Sequence, residues 1–108
     1  MQTITPTELK PRWDDRADND ILLLDVREEW EYQMVHVDGS VNIPLGQIPT
    51  IELDNLPDAK EVVIICHHGM RSAQACIILQ QKGLQQVTNL TGGIDAWAKT
   101  VDPSLPLY

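Results

Sequence analysis

Cys66 and Arg71 stand close together in residues 66–72, CHHGMRS, and both side chains can act on an anionic substrate. A cysteine thiolate is a strong nucleophile, and a guanidinium presents a planar fork of N–H groups that suits an oxyanion. Gly69, between them, lets the chain turn sharply and brings the backbone close to a bound ligand. These residue types in this spacing predict a nucleophile placed where an anion binds.

The elements on either side of this segment position the cysteine. Residues 62–65 are apolar and β-branched, and they predict a strand that is buried on both faces and ends at Cys66. Residues 71–82 are good helix formers without proline, and Gly83 follows in the usual place after a helix. The intervening loop then directs backbone N–H groups and the positive end of the helix dipole towards the sulfur. We therefore expect Cys66 to be a thiolate more readily than a free cysteine; the alternative is a buried, inert cysteine.

The rest of the chain predicts alternating strands and helices. The predicted strands are residues 2–5, 20–25, 41–43, 62–65 and 87–90. The predicted helices are residues 5–14, 28–34, 71–82 and 92–99, with a weaker helical signal at 45–55 and an irregular tail from residue 101. Thr5 followed by Pro6 and Glu8 is a capping signal for the first helix. Strands separated by helices predict an α/β fold, with a parallel sheet covered on both faces.

Four motifs along the chain resemble those of the single-domain rhodaneses, a family of sulfurtransferases. They are LLDVR at residues 23–27 with Glu31 and Tyr32 after it, HVDGSVNIP at 36–44, the loop at 66–72, and TGGIDAW at 91–97. Their order and spacing match over nearly the whole chain, whereas any one motif alone would be weak. The resemblance implies a three-layer α/β/α sandwich with a five-stranded parallel sheet in the order 3-2-4-5-1.

The same resemblance implies a persulfide intermediate on Cys66, the catalytic residue. No cofactor is expected. Sulfane sulfur would pass from thiosulfate or a similar small-molecule donor to a thiophilic acceptor, either cyanide or a thiol. The alternative is a sulfur-relay or regulatory module, which receives a persulfide from one protein partner and passes it to another. The residues expected to bind the donor are those of the loop, namely His67, His68, Gly69, Met70, Arg71 and Ser72.

The length of the loop separates two chemistries that share this fold. Cys66 through Arg71 is six residues inclusive, which leaves four between them. The phosphatases and arsenate reductases that resemble this family place one residue more there, which makes a wider cradle for a tetrahedral phosphate or arsenate. The shorter loop favours attack on a donor sulfur and disfavours both phosphatase and arsenate reductase activity.

The side chains inside the loop have distinct predicted roles. Neutral, His67 and His68 would shape the rim; protonated, they would favour anionic donors at lower pH. We expect Met70 to form a pocket wall or an anchoring contact, and Ser72 to bond a loop amide or the terminal sulfur of the persulfide. Adjacent histidines beside a cysteine cannot easily converge on one ion, and no other Cys or His lies at ligand spacing, so we predict no metal site.

Residues at the end of the second strand are predicted to support the loop. In the expected strand order the fourth strand lies beside the second, which brings Asp25 and Arg27 to the same sheet edge as Cys66. We expect Arg27 to be chiefly structural, pairing with Asp25 or with Glu31 one helical turn later; direct contact with substrate is the alternative. His36 is expected to make a satisfied hydrogen bond in the turn before the third strand.

Length and cysteine content bound the class of protein. A chain of 108 residues predicts one domain, residues 1–108, with a single core. Cys66 and Cys76 are the only cysteines, so no disulfide framework is expected. Cys76 is expected to be a buried residue of the predicted helix; the alternative is that it resolves a Cys66 persulfide. The start MQT carries no basic or apolar signal segment and no long apolar run follows, so we expect a soluble, cytoplasmic protein.

The acidic composition limits the partners. The net charge of −8 argues against nucleic acid and against an anionic membrane surface, because both need a basic face. Residues 1–61 hold 14 acidic and 5 basic residues, or −9, whereas residues 62–108 hold 2 acidic and 3 basic, or +1. The half of the sequence that contains Cys66 is therefore nearly neutral and can receive an anion. The acidic pairs at residues 14–15 and 28–29 are expected to be solvated surface.

Overall fold

Five parallel strands form the central sheet in the computed structural model, which describes residues 1–108. The strands are β1 (Gln2–Ile4), β2 (Ile21–Asp25), β3 (Val41–Asn42), β4 (Glu61–Ile65) and β5 (Val87–Leu90). The α-helices are α1 (Pro6–Asp14), α2 (Glu29–Met34), α3 (Met70–Gln81) and α4 (Gly93–Thr100). The sheet order is β1-β5-β4-β2-β3, which confirms the predicted order when it is read from the other edge.

Strand β4 is the middle strand of the sheet, paired with β2 on one side and β5 on the other. Asp25, the last residue of β2, is in register with Ile65, the last residue of β4. The Val26 N–H then donates to the Ile65 carbonyl at 3.0 Å, which holds the two strand ends together. Cys66 therefore leaves the sheet at its centre, at the carboxyl edge where parallel sheets bind their ligands.

Alternate residues of β4 point to opposite sides of the sheet, as the period of a strand requires. Val62 and Ile64 lie in an apolar cluster that includes residues of α3, and Val63 and Ile65 lie in a second cluster with residues of α1 and α4. The sheet is thus covered on both faces, which confirms the predicted three-layer arrangement.

The first helix begins as its sequence predicts. The Thr5 hydroxyl accepts from the Glu8 N–H at 3.2 Å, and the Glu8 carboxylate accepts from the Thr5 N–H at 3.0 Å. Pro6 occupies the first helical position, where its missing N–H is no loss. The capping box and the proline together set the start of α1.

Two segments differ from their predicted form. Helix α3 begins at Met70, one residue earlier than predicted, because Gly69 adopts a φ of +105° and ends the loop there. The weak helical signal at residues 45–55 forms two 3₁₀ helices, Leu45–Thr50 and Leu53–Asn55, and not an α-helix. Pro49 has no N–H to donate to an α-helical hydrogen bond, which favours the shorter form.

Helix α2 carries large apolar side chains on its outer surface. Trp30 and Met34, one turn apart, are 61% and 56% exposed.

The acidic residues at positions 14–15 and 28–29 are also exposed, which confirms that they are solvated surface. None of the helices has the length and the apolar character that crossing a membrane would require.

Candidate functional site

The Cys66 sulfur lies at the base of the loop formed by residues 66–72, and the residue is 1% exposed. The Gly69 N–H donates to Cys66 Sγ at 3.0 Å. Helix α3 starts at the next residue, so the positive end of its dipole lies beside the sulfur. The predicted delivery of a loop N–H group to the sulfur is confirmed, and both features favour a negative charge on it.

Ser72, in the first turn of α3, is a second polar neighbour of the sulfur. Its Oγ lies 3.3 Å from Cys66 Sγ, so the hydroxyl contacts the cysteine itself. The same hydroxyl donates to Asn89 Oδ1, and Asn89 Nδ2 donates to the Gly69 carbonyl at 3.1 Å. With its proton on Asn89, the Ser72 oxygen accepts from the Cys66 thiol; once the sulfur is ionised, the hydroxyl can turn and donate to it.

Asn89 was not predicted from the sequence. It lies in β5, where it is buried at 8% exposure. An amide side chain inside a strand that is buried on both faces needs hydrogen-bond partners. Its place in the predicted strand 87–90 was therefore the one feature of the sequence that pointed to a role for Asn89. Its partners are Ser72 and Gly69, so it ties the loop to the neighbouring strand.

The start of α4 donates backbone hydrogen bonds to the loop that contains Cys66. The Ile94 N–H donates to the Cys66 carbonyl at 2.8 Å, and the Asp95 N–H donates to the His67 carbonyl at 3.1 Å. Gly93 makes this approach possible, because its φ of +62° and its lack of a side chain bring two backbones into contact. The unpaired N–H groups of one helix terminus thus hold two carbonyls of the loop.

We expect the variant Gly93→Ala to lose stability and to misplace the loop. The added Cβ would lie 2.5 Å from the His67 carbonyl oxygen and closer still to that of Cys66, and both are backbone atoms that cannot swing away. The expected loss is roughly 2–4 kcal/mol of unfolding free energy. Urea unfolding measures it, and the alkylation rate of Cys66 by iodoacetamide should change with it.

Gly46→Ala is the matched control for this substitution. No atom lies within 4 Å of a Cβ built at Gly46, and its φ is not positive. We expect its stability and its alkylation rate to stay close to those of the unmodified chain. Equal losses in the two variants would contradict the bracing role of Gly93.

Arg71 binds a carboxylate and does not face the sulfur as a free cation. Its Nη1 donates to Glu31 Oε1 at 2.6 Å and its Nη2 donates to Glu31 Oε2 at 2.9 Å. The Arg71 guanidinium, which we expected to bind an oxyanion of the substrate, therefore binds the Glu31 carboxylate of α2 instead. The sequence suggested Glu31 as a partner of Arg27, one helical turn away, but its actual partner, Arg71, lies 40 residues away in sequence, beyond the reach of local patterns.

Arg27 pairs with Asp25, which is the first of the two partners predicted for it. Both residues are fully buried, and Arg27 Nε and Nη2 donate to Asp25 Oδ1 and Oδ2 at 3.0 and 2.7 Å. Nη2 also donates to the Val35 carbonyl at 2.7 Å, and Nη1 donates to the Glu31 carbonyl at 3.3 Å. These acceptors leave Arg27 engaged with the protein, so its position supports the sheet edge beside the loop.

Tyr108 connects the two ion pairs with the loop. Its hydroxyl donates to Glu31 Oε2 at 2.8 Å and accepts from Arg27 Nη1 at 2.8 Å. Burial raises the pKa of Tyr108, so the hydroxyl keeps the proton that it donates. Its ring stacks on His67 with centroids 4.1 Å apart and planes within 10°. The irregular tail was predicted, but this docking was not, because no local signal distinguishes Tyr108.

The two histidines of the loop have different environments. Burial, and then the charge of neighbouring His68, lower the pKa of His67, whose Nε2 is buried without a partner. The His68 side chain is 63% exposed, and its Nδ1 lies 3.9 Å from Asp95 Oδ2. His67 is therefore a neutral wall of the loop near neutral pH, whereas His68 stands at its rim.

The structure also shows the surroundings of Met70, His36 and Cys76. Met70 is 78% exposed, so the expected anchoring contact is wrong, and the side chain projects from the rim of the loop. The Nδ1 of His36 lies 2.8 Å from the Tyr32 carbonyl, which confirms its satisfied hydrogen bond. Cys76 is buried as predicted, and burial raises its pKa to about 11. Both cysteines are free thiols.

The Glu31–Arg71 pair predicts a specific dependence of stability on pH. The hydrogen bonds from Arg71 lower the pKa of Glu31 from 4.5 to about 2. Because the pKa is lower in the folded state, the carboxylate contributes stability that is complete above pH 4.5 and is lost as the pH falls towards about 2. We expect the unfolding free energy to fall less steeply over this range in Glu31→Gln, as measured by urea titrations.

Glu29→Gln is the control, because it removes a carboxylate of the same helix that is exposed and bonds only to Gln33. This variant should keep the acid dependence of the unmodified chain. If Glu31→Gln and the unmodified chain lost stability in parallel below pH 4.5, the pairing of Glu31 would not account for the acid response.

Comparison with known proteins agrees with this geometry. Residues 5–100 match the family model described as Rhodanese-like domain. A protein of Mycobacterium tuberculosis named "Probable adenylyltransferase/sulfurtransferase MoeZ" is 39% identical over 107 residues, which cover 98% of this chain and 27% of that protein. A protein of Allochromatium vinosum named "Sulfurtransferase" is 41% identical over 80 residues, which cover 74% of each.

A solved structure extends the comparison to three dimensions. A rhodanese-related protein from Thermoplasma volcanium superposes with a TM-score of 0.81 at 30% identity, and each chain is covered in full. The present chain spans 27% of the length of MoeZ.

Proposed function

Because the chain belongs to the rhodanese-like domain family, we propose that it is a sulfurtransferase whose Cys66 carries the transferred sulfur as a persulfide. The names of two relatives, MoeZ and the A. vinosum protein, support the sulfurtransferase class. The observation that carries the proposal is the Gly69 N–H held 3.0 Å from Cys66 Sγ at the start of α3. That donor stabilises both the thiolate that attacks and the persulfide anion that results.

In the first half-reaction, the Cys66 thiolate attacks the sulfane sulfur of thiosulfate or of a similar donor. A sulfur–sulfur bond forms at Cys66 while the sulfur–sulfur bond of the donor breaks, and sulfite leaves with the electron pair. A thiolate and a thiosulfate dianion become a persulfide anion and a sulfite dianion, so charge and electrons balance without an added oxidant or reductant.

In the second half-reaction, a thiophilic acceptor takes the outer sulfur. Cyanide attacks the terminal atom of the Cys66 persulfide, the sulfur–sulfur bond breaks, and thiocyanate leaves while the thiolate is restored. A thiol acceptor would leave as its own hydropersulfide by the same bond exchange. The first step needs Cys66 free of any disulfide, and the second step restores it to that form, which fits a reducing compartment such as the cytoplasm.

The donor is proposed to bind within the loop, which presents its backbone and several side chains to the sulfur. Gly69 donates to the charge, and the Ser72 hydroxyl can turn to the outer sulfur from its position 3.3 Å from Sγ. Arg71 is proposed to hold the loop in shape through Glu31. The proposed donor-binding residues are His67, His68, Gly69, Met70 and Ser72, and Arg71 supports them through its pair with Glu31.

A second candidate function is a sulfur relay between proteins. MoeZ carries a matching segment over 27% of its length, so in that protein such a segment is joined to a larger chain. The exposed Met70 at the rim of the loop would suit contact with a protein surface. In this case protein partners would deliver and receive the persulfide, and transfer from small molecules would be incidental.

Phosphatase and arsenate reductase activity are the less favoured candidates. Only four residues separate Cys66 from Arg71, and the guanidinium that would hold a tetrahedral anion already binds Glu31. Both features limit the space and the positive charge for a phosphate or an arsenate.

Measuring the two half-reactions separately tests the proposal. With excess thiosulfate and no acceptor, the chain should release about one equivalent of sulfite and then stop; cyanide added after removal of the donor should release a matching amount of thiocyanate. Sulfite that appears only when donor and acceptor are present together would rule out a stored persulfide. Transfer to a candidate protein acceptor that is much faster than transfer to cyanide would favour the relay.

A further inference from the structure

On the basis of the sulfurtransferase function proposed above, we propose that the preferred donor is an organic hydropersulfide, R–S–S⁻, and not the thiosulfate dianion. Within the class of sulfane-sulfur donors, these two differ in charge and in the group that leaves. A hydropersulfide carries one negative charge on its sulfurs and an organic group R, whereas thiosulfate is a compact dianion. The surroundings of Cys66 accommodate a hydropersulfide better than they accommodate thiosulfate.

The first observation is the neutralised arginine of the loop. Both ends of the Arg71 fork are bound to the Glu31 carboxylate, at 2.6 and 2.9 Å, and the Glu31 side chain is only 6% exposed. Tyr108 donates a further hydrogen bond to that carboxylate, which fixes it in place. A dianion could recruit Arg71 only by displacing a buried carboxylate that would then lack its charged partner. Thiosulfate therefore gains little from the one cation of the loop.

The second observation is that the neighbouring cations are also paired. Arg27 is fully buried on Asp25, and Lys99 Nζ lies 3.0 Å from Asp95 Oδ2 at the turn that braces the loop. His67 is partly buried in its stack with Tyr108, which disfavours its charged form. The donor thus meets backbone N–H groups and balanced ion pairs, which suit one negative charge better than two.

The third observation is that the two elements joined by the Glu31–Arg71 pair carry exposed apolar side chains. Met70 belongs to the loop, and Trp30 and Met34 flank Glu31 on α2, the helix that the Glu31–Arg71 pair joins to the loop. These side chains are 78%, 61% and 56% exposed. Apolar contacts of this kind would stabilise the R group of a hydropersulfide, and thiosulfate has no group that could use them.

The chemical step balances for this donor. The Cys66 thiolate attacks the outer sulfur of R–S–S⁻, a new sulfur–sulfur bond forms at Cys66, and R–S⁻ leaves with the electron pair of the broken bond. Two monoanions give two monoanions. No oxidant or reductant enters, and the same enzyme persulfide is produced as with thiosulfate.

The test compares two donors in the first half-reaction. The probes are thiosulfate and the hydropersulfide of N-acetylcysteine amide, whose organic part is uncharged, and the quantity compared is the ratio of their kcat/KM values for loading Cys66. We expect the ratio to favour the hydropersulfide by about tenfold or more in the unmodified chain. In Glu31→Gln the freed guanidinium should shift it about tenfold towards thiosulfate, chiefly through a lower KM for thiosulfate.

Glu29→Gln is the charge-matched control for this comparison. It removes the same single negative charge from the same helix, but Glu29 is exposed and does not contact Arg71. Its donor ratio should equal that of the unmodified chain. An equal shift in both variants would show a general charge effect and overturn the proposal, as would a preference of the unmodified chain for thiosulfate.

A double variant covers the case in which Glu31→Gln does not fold. Glu31→Gln with Arg71→Gln removes both charges together and leaves no buried charge unpaired. We expect its donor ratio to stay near that of the unmodified chain, whereas a selective loss of thiosulfate activity would show that Arg71 binds this donor. If neither probe loads Cys66, the sulfurtransferase function itself fails; if both load it and the ratio favours thiosulfate, only the donor preference fails.

Discussion

Cys66→Ser is expected to abolish sulfur transfer and to leave the fold intact. The variant keeps the size of the side chain but replaces a thiolate nucleophile with a hydroxyl that is not ionised at neutral pH. The only other thiol is Cys76, which lies within α3 outside the loop, and burial raises its pKa to about 11, so it is a poor substitute for Cys66. We expect transfer from any sulfane-sulfur donor to cyanide to fall by at least about a thousandfold.

Cys76→Ala serves as the control for this experiment. Cys76 is buried in α3 and makes no hydrogen bond that places it in the transfer reaction. We expect turnover per folded molecule to be nearly unchanged, with a modest loss of stability from the smaller side chain. Full activity in Cys66→Ser, or loss of activity in Cys76→Ala without unfolding, would assign the reaction to a different residue.

Arg27→Met is expected to have the largest effect on stability. It removes the side-chain partner of Asp25, a buried carboxylate that would keep only the hydrogen bond from the backbone N–H of residue 27. Removing one member of a buried ion pair costs roughly 3–5 kcal/mol, because the other charge is left unpaired. Urea unfolding at neutral pH measures the loss, and Asp25→Asn in the same chain should recover part of it.

Lys60→Met is the matched control, because Lys60 also pairs with an aspartate but on the surface. Its Nζ lies 3.3 Å from Asp20 Oδ1, and its side chain is 82% exposed. We expect a change within about 0.5 kcal/mol. If Arg27→Met were as mild as Lys60→Met, the Asp25–Arg27 pair would not be what supports the sheet edge.

Short-range patterns were sufficient to predict the centre of the site. A strand, a cysteine, a glycine and a helix follow one another along the chain, so their geometry is set by neighbours in sequence. The contact between the Gly69 N–H and Cys66 Sγ spans only three residues, and it was expected. The strand order is different, because only the resemblance of the motifs to a family, and not local physical chemistry, predicted it.

The surroundings of the site depend on contacts that no local pattern contains. Arg71 lies 40 residues from Glu31, and Arg27 lies 81 residues from Tyr108. From the sequence, an arginine after a cysteine loop suggests an anion-binding cation, because its partner cannot be seen. The folded chain instead supplies a carboxylate to that arginine, and this changes the predicted charge of the site from positive to balanced.

The central claim is that Cys66 carries sulfur, and the mass of the intact protein tests it most directly. After incubation with excess sulfane-sulfur donor and removal of that donor, the account predicts that the chain gains the mass of one sulfur atom. Peptide mapping should place the gain on Cys66, and cyanide should remove it. An unchanged mass with both thiosulfate and a hydropersulfide, or a gain that persists in Cys66→Ser, would contradict the account.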